Sequence, residues 1–70
     1  MKKKIYSIFE VDEYNGKEYK IADTYERIMT EQLVMLLSEQ KAAATSYRYY
    51  DADGIRYDLH DIKTMWGITK

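Results

Sequence analysis

Two short turn signals, Asn15-Gly16 and Asp53-Gly54, constrain what this chain can fold into more than anything else in it. An amide or carboxylate residue followed by glycine accepts the backbone that tight hairpins demand, and alternating apolar and polar residues on either side supply the strands. Two hairpins are expected, one joining residues 4–12 to 17–25 and one joining 46–51 to 55–60.

Register decides which side chains share a face, because a slip of one residue turns every side chain over. A two-residue loop at Asn15-Gly16 pairs Phe9 with Ala22 and Val11 with Lys20, which mixes the faces. A three-residue loop, Tyr14-Asn15-Gly16, pairs Glu13 with Lys17, Val11 with Tyr19, Phe9 with Ile21 and Ile5 with Tyr25. That register gathers the apolar residues and is the one expected, with glycine in the left-handed region. It sends Ile5, Ser7, Phe9 and Val11 inward and leaves Tyr6, Ile8 and Glu10 on the outer face. In the second hairpin a loop at Ala52-Asp53-Gly54 pairs Tyr49 with Tyr57 and Tyr47 with Leu59 on the apolar face. Arg48 then meets Asp58, Tyr50 meets Arg56 and Ser46 meets His60 on the other, so opposite charges fall across from each other.

Between the hairpins, Leu33, Leu36, Leu37, Gln40 and Ala44 recur at helical spacing. Thr30 is the expected N-cap, with Glu31 in the first turn, and Gln40 to Ala44 is a strongly helix-forming run. Ile62, Met65 and Trp66, with Asp61 before and Gly67 after, predict a short capped helix at the end; a last extended strand is the alternative. The expected fold is α+β: a ββαββ order with a short C-terminal helical turn, in which one helix packs on one face of an antiparallel sheet. Residues 1–70 make a single domain. Nothing in the pattern sets the strand order.

Composition narrows function mainly by exclusion. There are no cysteines and one histidine, His60, so a disulfide framework, a thiolate metal site and a histidine-rich zinc site are all excluded. A chain this short often needs a staple or a partner, and with no cysteine or metal set, a second copy or another protein is the expected one. Lysine and arginine (11) nearly balance aspartate and glutamate (12), which argues against a duplex-DNA binder. The basic start, Lys2-Lys3-Lys4, leads into an apolar run that Glu10 and Asp12 cut short of signal-peptide length. The lysines read as a solvated end. No apolar stretch approaches the ~20 residues of a membrane span, so a cytoplasmic protein that binds no membrane is expected.

Two motifs invite chemistry. Asp51-Ala52-Asp53-Gly54 resembles a fragment of a calcium loop, but aligning Gly54 on the loop glycine puts Tyr49 first and His60 last, neither a suitable ligand. A plain turn explains every residue there. Asp58 and His60 fall on one strand face beside Asp61, yet no nucleophile or phosphate loop accompanies them, and a solvated face is the expected reading. No enzyme activity, cofactor or metal is expected.

Eight tyrosines in 70 residues are more than so small a core can hide. Tyr, Trp, Met and Arg are the residue types enriched at interface centres, so binding another protein, or itself as a homodimer, is the expected function. The expected surface is Tyr6, Ile8 and Tyr50 on the outer sheet face, with Arg48 and Arg56; an open sheet edge accepting a partner strand is a further mode. Compact, acidic, tyrosine-rich domains of this length are in keeping with accessory or inhibitor proteins of phages and other mobile genetic elements, which act by occluding larger proteins; that association rests on style, with no motif behind it. The alternative is single-stranded nucleic-acid binding by Tyr50, Arg48 and Arg56. Register weighs against it, since Tyr47, Tyr49 and Tyr57 face away from the arginines.

Overall fold

The computed structural model describes residues 4–67, so Lys2 and Lys3 of the basic start lie outside the described residues. Strands β1 (Tyr6–Asp12) and β2 (Lys17–Thr24) form the first hairpin, and helix α1 (Arg27–Glu39) follows. Strands β3 (Thr45–Tyr50) and β4 (Arg56–Asp58) form the second hairpin, which runs directly into helix α2 (Leu59–Trp66). The strands make one antiparallel sheet in the order β2-β1-β3-β4. Helix α1 thus carries the chain from the edge strand across to a central one, in the α+β arrangement expected.

The second hairpin keeps its expected register. Arg48 pairs with Asp58, Tyr49 with Tyr57 and Tyr50 with Arg56. Asp51 builds the turn: its Oδ1 accepts the amides of Asp53 and Ile55, and its carbonyl accepts from Gly54, whose φ of 80° suits glycine. The ladder stops at Asp58, so the expected pairs Tyr47 with Leu59 and Ser46 with His60 do not form. Asp58 instead caps α2. Its carboxylate accepts from the Asp61 amide while the Asp61 carboxylate accepts from the Asp58 amide, a reciprocal box that starts a helix more firmly than one more pair extends a strand. The tail is therefore helical, from Leu59 rather than Asp61.

The first hairpin departs from expectation in two ways. Near the turn the pairs are Asp12 with Lys17, Val11 with Glu18, Glu10 with Tyr19 and Phe9 with Lys20, around a four-residue loop. A bulge then takes up Ile21, and beyond it Ile8 pairs with Ala22, Ser7 with Asp23 and Tyr6 with Thr24, in phase with the expected register. The expected pairs Glu13 with Lys17, Val11 with Tyr19 and Phe9 with Ile21 do not form. The faces of β1 are also reversed: Ile8 stands opposite Tyr49 under the helices, while Phe9 and Val11 lie on the open side with Arg48 and Ser46. β1 carries apolar residues on both faces, so its own pattern does not choose; its central partner β3 does.

Ile8, Val34, Tyr49 and Ile62 form the core, with Tyr6, Ala22, Leu33, Met35, Leu37, Tyr47 and Tyr57 packed around them. Burying an aliphatic side chain of this kind stabilises by about 1.5–3 kcal/mol. Helix α1 also differs at both ends. It starts at Arg27, so Thr30 is not the N-cap; it is buried within the helix, where its hydroxyl donates to the Glu26 carbonyl and meets Thr24 Oγ1. It ends at Glu39, before the run Gln40 to Ala44. Ala44 lies at φ 60° and its carbonyl accepts from the Glu13 amide, so those residues return the chain to the sheet against their own helix propensity.

Candidate functional site

Helix α1 buries two polar side chains beside Val34 and leaves three large apolar ones exposed. Thr30 and Glu31 are 0% and 3% exposed, whereas Ile28, Met29 and Leu36 are 64%, 50% and 51% exposed. An amphipathic helix on a sheet ordinarily shows the reverse.

The inward side accounts for the buried glutamate. Glu31 Oε2 accepts from the Tyr49 hydroxyl at 2.5 Å and from Arg27 Nε at 3.0 Å, and its Oε1 accepts from Trp66 Nε1 at 2.6 Å. One carboxylate thus joins α1, β3 and α2. Arg27 also lies over the Tyr57 ring at 5.7 Å, and that ring stacks on Tyr49 with centroids 5.1 Å apart. Burial alone pushes the Glu31 carboxyl up; the hydrogen bonds from Trp66, Tyr49 and Arg27 outweigh it and hold the pKa below its ordinary 4.5. Burial, and then the Glu31 carboxylate, push the Tyr49 phenol up from 10.0. The carboxylate therefore stays charged and fully partnered, which fits a structural tie.

The outward side has no such explanation. Ile28, Met29 and Leu36 lie on the face of α1 turned away from the sheet. Tyr25, just before the helix, is exposed and lines a hollow with Met29. Three large apolar side chains exposed together on one helix face make the outer face of α1 the candidate functional surface.

The residues singled out from the sequence are not brought together. Ile8 is 1% exposed in the core, and Tyr6 packs beside it with its ring edge-on to Tyr49 at 6.1 Å. Neither is on the outer sheet face. Tyr50, Arg48 and Arg56 are on that face, and the first two are engaged. Arg48 Nη1 meets Glu18 Oε2 at 2.7 Å, the Tyr50 hydroxyl donates to the same oxygen at 2.8 Å, and the Tyr50 ring stands edge-on to Phe9. A nucleic-acid platform would need that guanidinium and that ring face free. The β2 edge carries Lys17 and Lys20 and is kinked by the bulge at Ile21, both of which discourage strand addition.

His60 is exposed in the first turn of α2, and Asp58 is occupied as its cap, so the pair does not share a strand face. Among the described residues no cluster of His, Cys, Asp or Glu stands ready for a metal, and no helix is long and apolar enough to cross a membrane. Sequence reasoning missed both sides of α1. The signal was present in Ile28-Met29 and Glu31, which break a clean helical stripe, but starting the helix at Thr30 hid it. No family model, curated protein or solved structure matches the chain.

Proposed function

We propose that this chain is a protein-binding module whose contact surface is the outer face of α1, centred on Ile28, Met29 and Leu36 with Tyr25 beside them. The observation that carries the reading is the exposure of an isoleucine, a methionine and a leucine on the face of α1 opposite the one that buries Thr30, Glu31 and Val34. Covering those side chains removes apolar surface from water at about 25 cal/mol per Å², the dominant favourable term in association. The module acts by occupying a surface of its partner, with no chemical step assigned to its own residues.

A photo-crosslinking side chain placed at position 28 or 36, with a control at Lys20 on the opposite sheet face, tests the reading in cells. Protein adducts from positions 28 and 36 and few from position 20 are expected. Adducts from position 20 alone, or from none of the three, overturn it.

A further inference from the structure

Among the described residues, Met65 is the methionine whose sulfur meets a cation: its Sδ accepts from Arg27 Nη2 at 3.1 Å. The guanidinium is held in place from two other sides. Its Nε donates to Glu31 Oε2 at 3.0 Å, and it lies over the Tyr57 ring at 5.7 Å. A thioether is a weak acceptor, so a fixed, charged donor gains little from it. The sulfur is also open to reagents. Met65 is 43% exposed and, with Arg56, Tyr57, His60 and Thr64, lines a hollow of about 320 Å³ beside α2. That hollow admits an oxidant and leaves room for an added oxygen. The other two described methionines differ. Met35 packs on the core, and Met29 is exposed with no cation bonded to its sulfur.

We propose that Met65 is a reversible oxidation site whose sulfoxide Arg27 receives, so that a peroxide tightens the junction of α2 with α1. One sulfur lone pair accepts from Arg27, and the second attacks a peroxide oxygen. The S–O bond forms as the O–O bond breaks. The sulfur is oxidised, and the departing hydroxide takes the proton from the transferred oxygen and leaves as water. Rotation of the flexible methionine side chain brings the new oxygen onto the guanidinium fork, where a charge-assisted N–H···O bond replaces the N–H···S contact. Sulfoxide formation in a core disrupts packing; at this exposed site it turns a weak acceptor into a strong one. Enzymatic reduction of the sulfoxide restores the thioether, so the step runs both ways. Arg27 and Met65 lie off the outer face of α1, so the site stands whether or not that face docks a partner.

Hydrogen peroxide treatment of the full chain, stopped while peptide mapping shows Met35 still reduced, tests the proposal. Sulfoxide at Met65 is expected, with a melting temperature about 4 °C or more above that of the untreated chain. Sulfoxide reductase should return the melting temperature to its starting value. Met65→Leu, which keeps Met29, should lose the rise, and so should Arg27→Lys, which lacks the fork that spans Glu31 and the sulfur. The wild-type and Met65→Leu comparison decides even where Arg27→Lys does not fold. A Met65 that stays reduced while Met29 converts, or an oxidised chain that melts at or below the untreated one, overturns the proposal. A rise that survives in Met65→Leu or in a folded Arg27→Lys overturns it as well.

Discussion

The first hairpin pairs seven residues of β1 with β2, and the second pairs only three of β3 with β4, yet, whereas β2 exposes five residues, the shorter hairpin exposes only Arg56 along its strands. It contributes Tyr49, the largest fully buried side chain, whereas β2 leaves Tyr19 and Ile21 exposed. What covers each hairpin accounts for the difference. β4 turns without a loop into α2, so Ile62 closes over Tyr49 and Trp66 reaches the carboxylate that Tyr49 holds. β2 is an edge strand, with the Thr24–Thr30 hydroxyl pair as a tie to α1. A ladder exchanges protein hydrogen bonds for those with water and gains little net; packing and the satisfaction of buried groups set where the fold is firm.

The hardest way to break the contrast is Glu31→Ala. It strips the acceptor from Tyr49, Trp66 and Arg27 together, and breaking a buried, partnered charge costs about 3–5 kcal/mol, enough to unfold much of a domain this size. Urea denaturation followed by circular dichroism measures it, and an unchanged midpoint would show that the short hairpin is held by something else. The same carboxyl predicts acid sensitivity. Its folded pKa lies below 4.5, so its contribution is complete above that value and is lost as pH falls through the folded one. Asp58, lowered first by the Asp61 amide, adds to the same acid limb. Trp66, the single tryptophan, donates to Glu31, so an acid titration of its emission should show a transition that Glu31→Gln lacks.

Tyr49→Phe removes one donor to a charged acceptor and should cost about 1.5–3 kcal/mol. Tyr19→Phe on the first hairpin should stay within about 0.5 kcal/mol, and equal effects in thermal melts would erase the contrast. Asp58→Ala removes the cap and its half of the box, at a cost of about 1 kcal/mol, and should fray α2 first in amide exchange. Smallest is deletion of Ile21. It brings both halves of β1–β2 into one register without turning either face over, so stability should change by less than about 1 kcal/mol, while the straightened edge should aggregate more readily in light scattering. Deleting Tyr47 from β3 turns Thr45 and Ser46 over and removes a side chain packed on the core, so it should lower the melting temperature more than deletion of Ile21 does.

Much of the fold was legible in the sequence. The β3–β4 register could be read because Arg48 with Asp58 and Tyr49 with Tyr57 satisfy charge and burial in one alignment only. The β1–β2 register was half legible, since nothing local marks Ile21 as a bulge. The candidate surface was missed, although Ile28-Met29 carried its signal, because a helix started at Thr30 leaves both outside it. Tyr6 and Ile8 read as outward because Phe9 and Val11 made an equally apolar alternative face, and Thr30 read as a cap because buried threonines within helices look the same in sequence.

Local sequence set where the two turns fall, the register of the second hairpin beside its turn and a helical signal at the C-terminal end, because each depends on sterics and hydrogen bonds among residues a few positions apart. Tertiary structure alone decided which face of β1 is inside, where α1 starts and stops, and why its glutamate is buried while its isoleucine is bare. Those outcomes depend on groups far along the chain: Tyr49 opposite Ile8, Ala44 bonded to Glu13, and Trp66 brought to Glu31. Only the folded sheet and helices place them together.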